Sequence, residues 1–197
     1  MSFKDQIHIM VDIETLGLNA NHLIFQIAAC KFEINTGNIL DTFNGIVNIT
    51  NEEFLVHGNT LLWWLNTNKE LLTRLLNNGY YNSEKILLES FRTWIFTSTL
   101  GESAIYNMEN VLLWGNGILF DNCIIETKME KYGMNYPINY RNDRDLRTFI
   151  EMAAFKSGYK SEKDFREANS DNLIKHDALN DCKNQIKALS KAWNILN

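Results

Sequence analysis

The sequence predicts an α/β fold in which a mixed sheet is flanked by helices, rather than a fully parallel sheet. Three observations lead to this prediction. The first third of the chain contains apolar runs separated by turn residues, which is typical of strands. The middle changes to the apolar spacing of helices, and a short apolar run near residue 111 is followed by further helical segments.

The first third predicts an antiparallel meander. Ile7–Ile13 is mostly apolar and ends in a turn of Thr, Leu, Gly, Leu and Asn, which is typical of a buried central strand. Leu23–Glu33 is a second predicted strand. The Asn-Thr-Gly-Asn sequence at 35–38 is a turn signal, so we expect Ile39–Ile49 to pair back as a third strand.

The middle of the chain predicts helices. Apolar residues recur at helical spacing in three segments, Leu61–Leu65, Leu71–Leu76 and Ser83–Thr97. Ser83 is a candidate N-cap, and Gly79 and Gly101 are candidate helix stops.

The last part of the chain combines one strand with helices. Val111–Trp114 is an apolar run that ends in Gly-Asn-Gly and predicts a buried strand, and Phe120–Tyr132 follows as a helix. A loop and a polar, basic segment at 140–147 come next. Further helices are predicted near Thr148–Lys156 and from about Asp177 to Leu196.

Length and composition indicate one globular domain over residues 1–197, with 45% hydrophobic and 22% charged residues. No apolar run approaches the roughly 18 residues of a membrane span, and the N-terminus has no apolar signal region, so we expect no membrane association. The cysteines Cys30, Cys123 and Cys182 are widely spaced and odd in number. They predict unpaired core residues in a reducing cytoplasm rather than a disulfide framework or a zinc site.

The net charge is −5, with 19 Lys and Arg against 24 Asp and Glu. This balance disfavours a general nucleic-acid coat protein, which would be basic. It is compatible with an enzyme that gathers carboxylates in order to hold cations.

Two carboxylates, Asp12 and Glu14, stand two residues apart at the end of the first predicted strand, so their side chains point to the same face. Burying like charges together is costly unless cations compensate them. Mg²⁺ takes carboxylate oxygens as ligands. The pair is therefore a candidate metal site, and the alternative is that Glu14 lies in a solvated turn.

Two later segments carry further candidates. Asp121 stands near the start of a predicted helix, where capping is the alternative role. His176 lies before or at the start of the last helix and Asp181 lies one turn inside it. In one continuous helix they would lie about 140° apart, so His176 must stand on the incoming loop if both serve one site. Histidine is the usual general base near neutral pH, but a lone one is also common on the surface. Asp177 is the natural N-cap.

Three parts of the chain together resemble the motifs of the DEDDh exonuclease family, in the family's order and over about the whole chain. They are Asp12-x-Glu14, Asp121 and His176-x-x-x-x-Asp181. Oligoribonuclease, ribonuclease T and polymerase proofreading subunits belong to that family. The D-I-E-T-x-G-L and H-x-A-x-x-D forms carry most of the resemblance. It implies a ribonuclease H-like fold, a mixed five-stranded sheet flanked by helices.

Three local segments resemble more narrowly the phage exonuclease A type and the related bacterial adenylate-preferring exoribonucleases. They are Thr60–Trp64, Trp114–Asp121 and Asn142–Thr148. The chain departs from the commonest pattern at Leu16, where many relatives have Thr, but no metal ligand is missing.

The resemblance implies that Asp12, Glu14, Asp121 and Asp181 hold two Mg²⁺ or Mn²⁺ ions, which in such sites clamp the attacking and leaving oxygens. It implies that His176 deprotonates the attacking water. The substrate would be single-stranded DNA or RNA with a free 3′ end, and each cut would release a nucleoside 5′-monophosphate. A homodimer is expected by the same analogy.

The expected substrate-binding residues are Thr15, Leu16, Phe120, Asn116, Trp64 and Arg147. The resemblance places Thr15, Leu16 and Phe120 at the terminal nucleotide, where Phe120 either stacks on the base or belongs to the core. Trp63 and Trp64 point in different directions on a helix, so at most one is core, and the other is a candidate stacking platform for a base or a dimer contact. Arg147 is a candidate phosphate or dimer contact, with a solvated salt bridge as the alternative.

Some alternatives stay open at this point. The phage-type resemblance favours DNA, and a host-cytoplasmic location if the gene is viral, whereas the adenylate-preferring relatives favour RNA. A catalytically silent binding module on the same fold would need a broken ligand position, and all five positions are filled. A phosphohydrolase of free nucleotides is a third interpretation.

Overall fold

The computed structural model describes residues 6–51, 53–100, 108–171 and 173–197. Its strands are β1 (Ile7–Thr15), β2 (Ile24–Phe32), β3 (Ile39–Ile46), β4 (Val111–Gly115) and β5 (Asp143–Asp145). Its α-helices are α1 (Gly58–Thr67), α2 (Lys69–Asn77), α3 (Glu84–Leu100), α4 (Asp121–Lys131), α5 (Leu146–Lys156), α6 (Glu162–Ala168) and α7 (Ala178–Leu196). Two short 3₁₀ turns, Ile49–Asn51 and Met108–Asn110, precede α1 and β4.

The described strands form one five-stranded sheet in the order β3-β2-β1-β4-β5. The first three strands pair antiparallel, and β4 runs parallel to both β1 and β5. The predicted mixed sheet and its meander are therefore confirmed. The central strand β1 is buried along almost its whole length because helices cover both faces.

Alternation along β1 sends its side chains to two different cores. Ile9, Val11 and Ile13 join the apolar cluster under α3 and α4. Met10 joins a second cluster, which includes residues of α5 and α7. Asp12 and Glu14 share the side of Met10, so they extend from that second core toward the N-terminus of α7.

A third apolar cluster joins the end of β1 to α1 and α2. Leu16 and Trp64 lie in it, and the indole Nε1 of Trp64 donates to the Thr15 carbonyl oxygen at 3.3 Å. The adjacent Trp63 is 42% exposed. The prediction that at most one of the two tryptophans is core is confirmed.

Several element predictions need correction. β5 lies within a segment for which no strand was predicted. Its three polar residues show no apolar alternation, and they pair only with β4 at the edge of the sheet. Helix α6 was not predicted. β3 ends at Ile46 rather than Ile49, because a 3₁₀ turn begins at Ile49. Ser83 does cap α3, since its Oγ accepts from the Ile86 amide at 3.1 Å. The predicted stop at Gly101 lies outside the described residues.

The cysteines divide between core and surface. Cys30 and Cys182 are buried and free, as expected, whereas Cys123 is exposed on α4, so the core prediction is wrong for Cys123. Within the described part of the chain, no helix has both the length and the apolar character that a bilayer crossing requires.

Candidate active site

Three carboxylates meet where β1 ends. Asp12 and Glu14 come from β1, and Asp181 comes from the first turn of α7. One carboxylate oxygen from each of them lies within 4.8 Å of the others. Asp12 and Glu14 are each only 9% exposed. Residues separated by almost the whole chain therefore form one acidic cluster.

Asp121 borders this cluster from the start of α4, which follows the neighbouring strand β4. β4 runs parallel to β1, so the two strands end at the same edge of the sheet, and α4 begins there with Asp121. Its Oδ1 accepts a hydrogen bond of 3.4 Å from the Ile13 amide, between the two β1 carboxylates in sequence. Asp121 lies outside the three-residue cluster, but its charge is the strongest neighbouring charge acting on Asp12.

Burial dominates the electrostatics of these groups. Burial first, and then the negative charges of Asp121 and Asp181, raise the pKa of Asp12 well above its ordinary value. Burial and then Asp12 do the same to the pKa of Glu14. Burial raises the pKa of Asp121 to about 7, although the Ile13 amide opposes the shift. Burial also raises the pKa of Asp181.

This arrangement fits divalent cations. All four carboxylates resist ionisation because of burial, and Asp12 and Glu14 also because of neighbouring negative charges, so positive charge added among them is favourable. Their oxygen-only donor set is what Mg²⁺ and Mn²⁺ prefer. The described residues of the site therefore fit the metal ions that the sequence predicts.

Gln185 orients one of the carboxylates. Its Nε2 donates to Asp12 Oδ1 at 2.7 Å, and its Oε1 has no hydrogen-bond partner among the described residues. Gln185 was not predicted as a site residue. The signal was nonetheless in the sequence, because residue 185 lies four positions after Asp181 and so shares its helix face.

His176 stands on the segment that leads into α7, as the spacing requires. It has a φ of 64°, in the left-handed region that histidine visits more readily than most residues, at a cost of about 1–2 kcal/mol. Its backbone amide donates to Asp181 Oδ2 at 2.9 Å. The proposed base and the last acid are thus tied together directly.

The N-terminus of α7 is capped from outside the helix. Gln26, on β2, accepts a hydrogen bond of 3.3 Å at its Oε1 from the backbone amide of Ala178. Asp177 occupies the N-cap position but makes no side-chain cap hydrogen bond, and its Oδ2 lies 3.4 Å from Arg74 NH2 on α2. Asp177 is therefore the N-cap residue, as predicted, but its side chain pairs with Arg74 and does not cap the helix.

The acidic cluster opens into a cleft of about 910 Å³. Its walls include His176, the loop before α4, the start of α5 and much of α6. Asn116, Phe120 and Arg147 line this cleft, so three of the expected substrate-binding residues face the same space as the carboxylates. Phe120 also packs against the apolar cluster under α4, which is the core role that the sequence offered as its alternative.

The other three expected substrate-binding residues are buried. Thr15 donates its hydroxyl to the carbonyl of Gly17, within its own turn. Leu16 and Trp64 are 3% and 1% exposed and fill the third apolar cluster. Stacking of a base on Trp64 is incompatible with this burial, so that prediction is corrected. The indole instead supports the backbone of Thr15.

Helix α6 contributes a cleft residue that sequence reasoning missed. Arg166 donates to Asn116 Oδ1 at 2.8 Å and pairs with Glu162 on its own helix. The available signal was the helix start, since Ser161 caps α6 by accepting from the Asp164 amide at 3.1 Å. A Ser followed by acidic residues is a common N-terminal helix pattern.

Comparison with known proteins adds a family and a fold. The family model of the 3′-5′ exoribonuclease Rv2179c-like domain matches residues 7–193. Cell-death related nuclease 4 (CRN-4) superimposes with a TM-score of 0.68 at 17% identity, over 96% of this chain and 64% of that one. The zinc-bound E. coli ExoI–ssDNA complex gives a TM-score of 0.61 at 15% identity, over 92% of this chain and 39% of that one.

The nuclease domain of 3′hExo, a DEDDh family member bound to rAMP, gives a TM-score of 0.57 at 14% identity, over 96% of this chain and 92% of that one. At such identities the likeness shows the fold, and it confirms the predicted ribonuclease H-like architecture. The chain spans less than two thirds of the length of CRN-4 and of ExoI. No curated protein sequence matches it.

Proposed function

Because the chain belongs to the family of 3′-5′ exoribonuclease Rv2179c-like domains, we propose that it is a metal-dependent nuclease that shortens single-stranded nucleic acid one nucleotide at a time from a free 3′ end. The products are nucleoside 5′-monophosphates. One observation carries the proposal. One cleft is lined by five residues that come from distant parts of the sequence, Asp12, Glu14, Asp121, Asp181 and His176.

The carboxylates are proposed to hold two divalent ions, Mg²⁺ or Mn²⁺. Asp12, Glu14 and Asp181 have oxygens close enough to share one ion, and Asp121 adds a further ligand beside Asp12. Bound there, the ions supply positive charge that stabilises the extra negative charge on the phosphodiester during hydrolysis. Gln185 keeps the Asp12 carboxylate in a fixed orientation through its 2.7 Å hydrogen bond.

His176 is proposed to take the proton of the attacking water. It lies at the mouth of the acidic cluster, and Asp181 fixes its backbone. The proton then leaves to solvent through the open side of the cleft.

Arg147, Asn116 and Phe120 are proposed to bind the end of the strand. The guanidinium of Arg147 supplies the cleft with a phosphate partner, and the Phe120 ring offers a face for a base. RNA is favoured as the substrate because the family description names exoribonucleases. This cleft would accept ligands of the kinds that the ExoI and 3′hExo structures contain, which are ssDNA and rAMP.

Four broader expectations complete the proposal. Residues 1–197 act as one exonuclease domain that works in the cytoplasm, and the narrower phage-type resemblance stays a prediction. A homodimer is proposed because most soluble oligomers are twofold dimers and because Leu18 and Leu55 are exposed. Light scattering on the purified protein tests the dimer.

The experiment incubates the protein with RNA and DNA oligonucleotides of one sequence, labelled at the 5′ end, in Mg²⁺ or EDTA. Asp12→Ala and His176→Ala are run beside the wild type. We expect a ladder that shortens from the 3′ end, faster on RNA, and abolished by EDTA or Asp12→Ala.

His176→Ala should lower the rate by about 10²–10⁴-fold while Mn²⁺ binding is kept. Full activity in His176→Ala would overturn the assignment of the base. Binding of both oligonucleotides without cleavage would favour a silent binding module. Hydrolysis of free nucleotides alone would favour a phosphohydrolase.

A further inference from the structure

We propose that α1 and α2 form a clamp that positions the imidazole of His176, with Trp63 as its main positioning residue. The inference rests on the proposed function of His176 as the base. The clamp contacts three consecutive residues, Lys175, His176 and Asp177, each through a different side chain of the helix pair.

Trp63 contacts the ring of His176 itself. The two ring centroids are 4.8 Å apart with an interplanar angle of 88°, which is the favoured edge-to-face arrangement of aromatic pairs. Trp63 is not needed for the core, because the adjacent Trp64 fills that space and Trp63 stays 42% exposed. The contact with His176 gives a reason for a large aromatic side chain at this partly exposed position.

Asn68 fixes the residue before the base. Its Nδ2 donates to the Lys175 carbonyl oxygen at 3.2 Å, while its backbone amide donates to the Trp64 carbonyl oxygen at 2.9 Å. Asn68 is the junction between α1 and α2, so the clamp holds the base segment at the corner where the two helices meet.

Arg74 fixes the residue after the base. Its NH2 lies 3.4 Å from Asp177 Oδ2. The Arg74 side chain is about half exposed, so this ion pair is screened and is the weakest of the three contacts. Its position matters because it spans from α2 to the first residue outside α7.

The base needs such support. His176 has a left-handed backbone, and its amide contact with Asp181 fixes the main chain but not the ring. No side chain among the described residues hydrogen-bonds the imidazole, whereas a catalytic base is usually oriented by a third group. Two tryptophan rings face the imidazole edge-to-face, and Trp63 at 4.8 Å is closer than Trp64 at 6.3 Å, so Trp63 is the main side chain that orients the ring.

The test compares Trp63→Ala and the milder Trp63→Phe with Leu62→Ala. Leu62 is the neighbouring residue on α1 and is also exposed, so Leu62→Ala is a matched control that should keep wild-type kinetics. Trp63→Ala should lower kcat by about tenfold with KM changed by less than about twofold. Trp63→Phe should fall in between, and it keeps the test valid if the alanine variant folds poorly.

A double-mutant comparison separates positioning from substrate contact. If Trp63 acts through the imidazole, adding Trp63→Ala to His176→Ala changes the residual activity by less than about twofold. A further loss of about tenfold in that background would overturn the clamp, because Trp63 would then act on the substrate directly. Full activity of His176→Ala alone would instead refute the proposed function of the base.

NMR gives a readout that does not depend on activity. In the wild type, the indole ring current should shift the imidazole C–H resonances of His176, assigned by their absence in His176→Ala. The shift should disappear in Trp63→Ala and persist in Leu62→Ala. Identical His176 resonances in the wild type and Trp63→Ala would refute the contact, whatever the kinetics show.

Discussion

Replacing Asp121 with asparagine should make the metal-free protein more stable while removing its activity. Asp121 is 5% exposed, and burial raises its pKa from 3.8 to about 7. A shift of that size corresponds to about 4 kcal/mol, at 1.36 kcal/mol per unit. Asparagine keeps the Oδ1 that accepts from the Ile13 amide, so the substitution removes the charge and little else.

The pH dependence fixes the sign of this effect. Because the folded-state pKa of Asp121 is raised, the folded protein keeps a proton that the unfolded chain has already lost, and stability falls as pH rises from about 4 through about 7. The variant lacks this loss. Without metal, the free energy of unfolding of the variant should exceed that of the wild type by up to about 4 kcal/mol near pH 8 and by about 2 kcal/mol or less near pH 5.

Urea denaturation followed by tryptophan fluorescence measures both values, first in EDTA and then in Mg²⁺. Wild-type stability should rise when Mg²⁺ binds the folded state, and the variant should gain less. Hydrolysis by the variant should fall by about 10²-fold or more. An Asp121→Asn protein that is equally or less stable than the wild type near pH 8 in EDTA would refute the reasoning.

Three further predictions concern the supports of the fold. Burial and Arg144 lower the pKa of His8 to about 4, and its Nδ1 accepts from Trp114 Nε1 at 3.1 Å. A lowered pKa gives stability that is lost on acidification, so the wild type should lose up to about 3 kcal/mol between about pH 6.5 and pH 4. His8→Gln should flatten that loss in urea titrations, and an unchanged slope would contradict the assignment. Glu84→Gln leaves the buried ammonium of Lys128 without its countercharge and should cost about 3–5 kcal/mol, with Glu84→Gln/Lys128→Met less affected; equal midpoints of denaturation for Glu84→Gln and wild type would count against it. Gly17→Ala brings a methyl group 2.0 Å from the His22 ring and should cost about 1–3 kcal/mol, and a melting temperature equal to that of the wild type would exclude the clash.

The central part of the site could be predicted because it follows from short-range rules. Alternation along a strand puts Asp12 and Glu14 on one face, and the position of His176 before a helix lets it reach Asp181. These arguments use only neighbouring residues and the geometry of a single element. The structure places all of these residues in the cleft that the motifs imply.

The missed features depend on partners that are distant in sequence. β5 is a strand only because β4 offers it an edge, and nothing in three polar residues indicates that pairing. The Gln26 side chain caps α7 across 152 residues, so Asp177 is free to pair with Arg74. The choice between Trp63 and Trp64 as the core residue was open in the sequence, because either could face inward.

The origin of the active-site residues has a consequence for when this nuclease becomes active. Asp12 and Glu14 are made early in synthesis, but His176 and Asp181 are made late and reach the site only when α7 docks on the sheet. A growing or partly folded chain therefore lacks the proposed base and one acid at the same time. Docking of α7 would therefore control the proposed activity, because hydrolysis would begin only in a molecule that has completed its fold.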